Sequence, residues 1–171
     1  PYTTLFRSGG AALALYDVAA SDITRLMPDA GPWSALSPPR WGPDGQELWL
    51  SGRAASDEWR VLRVNVASGA VTDIAPGAHP APLDADRIVF WQAETLVEYR
   101  PTNRETRILA EDVPPLGGLA VAPGGDALAL IVSDAIIRLT LASGARETLY
   151  DIPPGDTLAS LARSLTCPLP R

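Results

Sequence analysis

Short apolar runs alternate along this chain with clusters of Gly, Pro, Asp and Ser, and three of the runs fall at one spacing. Gln46-Glu47-Leu48-Trp49-Leu50, Asp86-Arg87-Ile88-Val89-Phe90 and Asp126-Ala127-Leu128-Ala129-Leu130 align without gaps. Leu48, Ile88 and Leu128 are 40 residues apart, and so are Leu50, Phe90 and Leu130. Trp49, Val89 and Ala129, which lie between them, are apolar as well. A half-exposed strand alternates apolar and polar residues, whereas a strand apolar on both faces is covered on both. A two-layer sandwich exposes one face of each sheet and fits less well. A repeat of about 40 residues with four short strands per unit is the pattern of a β-propeller blade.

The fullest unit is expected over about Leu36 to Ala75. Its first strand closes at Arg40-Trp41, and Pro43-Asp44-Gly45 makes a turn because Pro presets φ and Gly accepts positive φ. Strands follow at Glu47–Ser51, Trp59–Val66 and Ala70–Ala75, with a loop over Gly52–Glu58. The next unit, about 78–110, has strands at His79–Leu83, Arg87–Trp91, Leu96–Arg100 and Glu105–Leu109. The third, about 116–150, has Gly117–Ala122, Ala127–Val132, Ile136–Leu141 and Ala145–Tyr150. Half a unit precedes these, over about 9–30, with strands at Leu13–Val18 and Ile23–Met27. Thr157–Ala162 starts a further strand in an irregular segment over 157–171, and Arg163–Arg171 fits no blade position. The expected fold is all-β: an incomplete propeller of four-stranded antiparallel blades, about three whole and partial ones at the ends.

Pro1–Ser8 stands apart. All eight residues match the translation of a common short-read sequencing adapter, so the native reading is expected to begin near Gly9. Any leader, anchor or membrane helix upstream is then lost. Thr3-Thr4-Leu5-Phe6 still has fair strand propensity, and an open blade edge accepts any extended chain.

Composition narrows the function. The 171 residues suffice for one domain, and the formal charge of −6 opposes a phosphate-binding surface, so nucleic acid is not an expected partner. All 14 basic residues are Arg, which reads as codon bias. One cysteine, Cys167, excludes an internal disulfide. No apolar run is long enough to span a membrane.

Trp41-Gly42-Pro43-Asp44-Gly45-Gln46-Glu47-Leu48-Trp49-Leu50 resembles the WD40-like (PD40) repeat of TolB-type propellers. The repeat's later half, a strand ending in a short Ser-Gly turn, is similar to Arg63-Val64-Asn65-Val66-Ala67-Ser68-Gly69. Ala122-Pro123-Gly124-Gly125-Asp126 with Leu139-Thr140-Leu141-Ala142-Ser143-Gly144 is a looser copy. The middle unit departs from it, with Leu83-Asp84-Ala85-Asp86 at the turn. The resemblance implies an extracytoplasmic bacterial protein that binds another protein or a polymer. The same repeat builds the gating propeller of prolyl-oligopeptidase-like serine peptidases, which is the second functional expectation. The sensor domain of a membrane-anchored signalling protein is the third.

Chemistry-bearing motifs are few. Ser-His-Asp hydrolysis needs an imidazole, and His79 is the only histidine, placed by the sequence in an interblade connection. No Gly-x-Ser-x-Gly elbow occurs. Asp84-x-Asp86 is the closest carboxylate pair and reads as a polar turn rather than a metal site. No catalytic residue, metal or cofactor is expected. Trp33 and Trp59 fall at connections on one end of the propeller, where an exposed indole serves as a recognition anchor. With His79 they are the candidate partner-binding residues. Arg63, Glu98 and Arg138 share one third-strand position, where alternating charge either pairs across blades or stays solvated. Open blade edges are expected to make the isolated piece self-associate.

Overall fold

The computed structural model describes residues 2–7, 12–27, 32–113, 119–132 and 135–153. The expectations at Thr157–Ala162, Arg163–Arg171 and Cys167 lie outside them. The described residues form sixteen strands and no helix. The first sheet contains β1 (Tyr2–Arg7), β2 (Ala12–Asp17) and β3 (Asp22–Met27). The second contains β4 (Trp33–Leu36), β5 (Arg40–Trp41), β6 (Glu47–Ala54), β7 (Trp59–Asn65) and β8 (Val71–Pro76). The third runs β9 (Ala78–Pro82), β10 (Ile88–Gln92), β11 (Thr95–Arg100), β12 (Glu105–Ala110). The fourth runs β13 (Leu119–Val121), β14 (Ala127–Val132), β15 (Ala135–Thr140), β16 (Arg146–Asp151). Every pairing is antiparallel between chain neighbours, apart from the split strand described below. β1 pairs with β2 from Tyr2↔Asp17 to Arg7↔Ala12, in the place a second strand takes in the other sheets.

The 40-residue pattern sorts side chains between successive sheets. Leu48 and Leu50 face the first sheet and pack with Leu13, Leu15, Leu26 and Met27. Ile88 and Phe90 face the second sheet, against Trp49 and Val61. Leu128 and Leu130 face the third, against Val89, Trp91 and Leu96. Each aligned pair thus points at the preceding sheet, and Trp49 and Val89 point at the following one. All six aligned residues are buried. A Leu or Ile so buried contributes about 1.5–3 kcal/mol, so one repeated pattern supplies all three intersheet cores.

The turns explain why the motif persists and how it varies. Gly45 and Gly125 sit at φ +68° and +66°, each donating its N–H to the residue three back, Gly42 and Ala122. The middle unit lacks that glycine but keeps an Asx turn: Asp84 accepts from the Asp86 N–H at 2.9 Å, as Asp44 does from Gln46. Partial burial pushes the Asp84 carboxyl upward. The Asp86 N–H and the Arg87 guanidinium outweigh this and hold it below the usual carboxylate value. A second tie joins the two turns at this end of the second and fourth blades. Val66 N–H donates to the Gln46 carbonyl and Leu141 N–H to the Asp126 carbonyl, each at 2.9 Å. In the middle blade the donor position is Pro101, which has no N–H. There Thr102 bonds the Asp86 carboxylate through its N–H and hydroxyl instead.

Two features went unseen in the sequence. The first strand of the second blade is broken: β5 pairs with Trp49 and Leu48, β4 with Ala54, Arg53 and Gly52. Ser37 fills the break, donating its N–H to the Ser51 carbonyl and accepting the Ser51 N–H on its hydroxyl, both at 2.8 Å. Pro38 and Pro39, which cannot donate to a ladder, account for the interruption. β6 also continues through Gly52 to Ala54, where a loop was expected.

The second feature recurs in all four blades. Leu13↔Met27 and Ala14↔Arg25 leave Leu26 unpaired. Ile74, Leu109 and Leu149 are skipped in the same way at the equivalent place. This bulge turns two adjacent fourth-strand residues inward. They are Leu26-Met27, Ile74-Ala75 and Leu109-Ala110, all at least half-buried beneath the next sheet. The fourth pair, Leu149-Tyr150, is 53% and 43% exposed.

Candidate binding site on the inner strands

The first strands of the second, third and fourth blades touch one another, with β9 between β5 and β13, as strands around a central axis do. His79 lies within β9, in agreement with the expected strand over His79–Leu83 and not in the interblade connection also suggested for it. The strand tolerates it through a bulge: Ala78↔Trp91 and Ala81↔Val89 leave His79 and Pro80 opposite Phe90 alone. Bulges accommodate proline and re-aim side chains. His79 takes φ +54°, a left-handed conformation that costs a non-glycine residue about 1–2 kcal/mol. Its N–H donates to the buried Ser51 hydroxyl at 2.7 Å, which locks the bulge to the second blade. Gly77 just before it has φ +150°, and a Cβ there would come within 2.7 Å of the Trp91 carbonyl.

The bulge frames a cavity of about 170 Å³ lined by Ser37, Pro38, Arg40, His79, Pro80, Trp91 and Leu119. Arg40 reaches from β5 to donate to the Leu119 carbonyl at 2.5 Å. Among the described residues this is the one hydrogen bond its guanidinium makes, and the His79 imidazole makes none. Partial desolvation lowers the Arg40 pKa. Partial desolvation first, then the Arg40 charge, pushes the imidazole below its usual value. Among the described residues no carboxylate lines the cavity.

Trp33 and Trp59 stand at the same end of the second blade, opposite Ala54 and Arg53 of β6. They do not share a surface. Trp33 is half-buried and packs on the core toward the first blade, while strand parity puts Trp59 on the Val61 side, toward the third. Both lie apart from the residues around His79 in the cavity wall, although the Trp59 carbonyl accepts the Gly77 N–H at 2.8 Å.

The repeated charge position is resolved differently in each blade: Arg63 and Glu98 pair within their own blades rather than across them, and only Arg138 stays solvated as one expectation had it. Arg63 pairs with Glu47 of its own blade at 3.5 Å and lies 5.9 Å over the Trp49 ring. Glu98 is 4% exposed and takes Arg107 at 3.1 Å and Arg100 at 3.7 Å, again within its blade. Arg138 is exposed. The link across blades is a hydrogen bond from Arg107 to the Leu141 carbonyl, 3.0 Å. Asp84 and Asp86 are turned to protein donors, Arg87 and Thr102 respectively.

Stacked four-stranded antiparallel sheets joined in chain order, with first strands toward a common axis, define a β-propeller fold. Solved structures of the same fold bear this out. TolB from Acinetobacter baumannii is 14% identical, matches 86% of this chain and 41% of its own, and superposes with a TM-score of 0.71. The tricorn protease is 10% identical over 87% of this chain and 20% of its own, TM-score 0.65. An oligogalacturonate lyase in complex with manganese is 17% identical over 88% and 50%, TM-score 0.61. The chain therefore spans half or less of each. No protein-family model and no curated protein sequence matches it. The fold is that of TolB and related β-propellers, as the repeat motif implied. Among the described residues no helix is long and apolar enough to cross a membrane.

Proposed function

We propose that this chain is a non-catalytic β-propeller binding module, part of a larger protein, that engages another protein or a polymer. The observation that carries the reading is the inner-strand cavity. It presents a partly desolvated guanidinium and an imidazole over apolar walls, which is the make-up of a recognition site, and among the described residues it gives His79 no carboxylate partner. Trp33, Trp59 and His79 remain the proposed contact residues, His79 foremost because it alone lines the cavity. The uncovered Leu149-Tyr150 pair supports a further blade beyond the fourth in the full-length protein. By analogy of fold with TolB, the proposed location is extracytoplasmic. Residues 9–171 are proposed as the β-propeller fragment, and mapping reads to the source genome checks whether coding sequence continues through Pro1–Ser8.

The test is hydrolysis of peptide and ester substrates by the purified chain. No turnover is expected; turnover that disappears in His79→Ala overturns the reading. A second reading, the regulatory propeller of a serine peptidase, is favoured by the likeness to the tricorn protease. A downstream α/β-hydrolase domain with Gly-x-Ser-x-Gly in the complete reading frame decides for it.

A further inference from the structure

We infer that the cavity between Arg40 and His79 is a carboxylate-binding site, recognising the carboxylate of a peptide chain end or of an acidic side chain. The inference rests on the binding-module reading above and specifies its ligand chemistry. Two independent breaks of the backbone converge on this one spot. β5 is cut short by Pro38-Pro39, which leaves Arg40 on a two-residue strand at the lip of the break. β9 is bulged at His79-Pro80. His79 itself sits at positive φ and is held there by the Ser51 hydroxyl. Strain of this kind persists where the surroundings over-determine it, and it clusters at ligand sites.

The chemistry of the walls selects the ligand. Arg40 and His79 are the titratable groups of the lining, and every other lining residue, from β9, β10, β13 and the Ser37-Pro38 break, is uncharged. A chain of net charge −6 thus places two potential cations together with no carboxylate beside them among the described residues. One guanidinium bond, to Leu119, fixes the plane of Arg40 and leaves N–H donors for a planar two-oxygen acceptor, the geometry a carboxylate supplies. A cavity of about 170 Å³ has room for several waters, and so for a carboxylate and a short hydrocarbon stem. Pro38, Pro80, Trp91 and Leu119 offer that stem apolar contact. A phosphate would want more donors and less hydrocarbon.

Because His79 is the only histidine, its ring Cε1–H gives a single resonance to follow. The 171-residue chain is titrated with acetyl-triglycine, acetyl-triglycine amide, acetyl-aspartyl amide and inorganic phosphate. A carboxylate seated beside the imidazole favours the imidazolium. The resonance is therefore expected to shift with acetyl-triglycine or acetyl-aspartyl amide and its titration midpoint to rise. The stronger of the two identifies chain end or side chain as the source. The triglycine amide should do neither. Arg40→Gln should weaken the effect roughly tenfold or more, as loss of a charge-assisted hydrogen bond does, with Arg40→Lys intermediate. The wild-type titration decides even if the Arg40 variants fail to fold. Equal response to acid and amide, response to phosphate alone, or none overturns the inference. Partner binding that survives Arg40→Gln alongside such a result leaves the module reading standing, whereas peptide hydrolysis would overturn that reading instead.

Discussion

Substituting Gly52 by Ala tests whether Trp33 is packing or a free anchor. Gly52 is buried mid-strand in β6, and its Cα faces the same side as Leu48 and Leu50. A Cβ placed there would lie 2.7 Å from the Trp33 ring carbon Cδ2 and 2.7 Å from Leu62 Cδ1, well inside the 3.4 Å at which ordinary contact begins. Trp33 therefore occupies the space that any side chain at 52 would need. Overpacking of this kind costs about 1–3 kcal/mol. The stiffer unfolded chain returns about 0.4–1 kcal/mol, so Gly52→Ala should destabilise by about 1–2 kcal/mol. Trp33→Ala strips a half-buried indole from the first intersheet core and should cost about 2 kcal/mol.

The double variant separates the two roles. With the indole gone, the new methyl enters vacated space, and the pair should cost no more than Trp33→Ala alone. The coupling is then about 1 kcal/mol or more, which exceeds ordinary departures from additivity. Urea unfolding followed by intrinsic fluorescence, at the lowest workable protein concentration, measures all four corners of the cycle. An indole that swings freely into solvent to meet a partner gives a different result: Gly52→Ala near neutral and the two changes additive. That outcome would refute the packing argument and make Trp33 a mobile anchor rather than a packed residue that offers a partner only its exposed edge.

The remaining predictions use the same comparison of equivalent positions. Arg104 takes φ +61° where Gly69 and Gly144 take +68° and +70°; Arg104→Gly should raise the melting midpoint, by about 1 kcal/mol of stability, while Gly69→Ala lowers it. Removing the buried Glu98 carboxylate strands Arg107 and Arg100, and Glu98→Ala should cost about 2 kcal/mol in chemical denaturation, below the range for fully buried pairs because both arginines reach solvent. His79 is held below its ordinary pKa, so the unfolded chain takes up a proton first as pH falls through ~6.5. Stability should therefore decline from there down to the lower native pKa and be flat above, a segment that His79→Gln removes from the pH profile. Leu149→Lys with Tyr150→Lys should reduce self-association on size-exclusion chromatography with little change in unfolding midpoint, whereas Leu109→Lys, at the covered equivalent position, should unfold the protein.

How much of this was legible in the sequence depends on where the information sits. The intersheet cores were legible because period and polarity carry them: Leu48, Ile88 and Leu128 need only be apolar and 40 apart. The Pro43-Asp44-Gly45 and Ser68-Gly69 turns were legible because their residues have intrinsic φ preferences. The bulges at Leu26, Ile74, Leu109 and Leu149 were not, since one extra residue in a strand leaves no compositional mark when its side chain is apolar like its neighbours. The bulge at His79 was missed for a related reason. Ala78-His79-Pro80 has the composition of a loop, and only the pairing of Ala78 with Trp91 and Ala81 with Val89 makes it a strand. The cavity depends on that pairing and on the Ser37 break, so no local pattern announced it.

The position shared by Arg63, Glu98 and Arg138 shows why the scaffold is readable and the site is not. Backbone register places all three identically, each opposite the residue between the aligned apolar pair, namely Trp49, Val89 and Ala129. Their surroundings differ completely. Arg63 lies over an indole, Glu98 is sealed under two arginines, and Arg138 meets solvent. What differs is the residue across the strand and the turn of the following blade, neither of which the repeat constrains. A propeller conserves the geometry of a position and lets its chemistry drift with its neighbours, so a function must be argued from contacts. By that standard the place where the first strands of three blades bring Arg40 and His79 to one cavity is the part of this molecule with the most to explain, because its backbone strain and partial desolvation oppose folding and are held in place by the Ser51 and Leu119 hydrogen bonds.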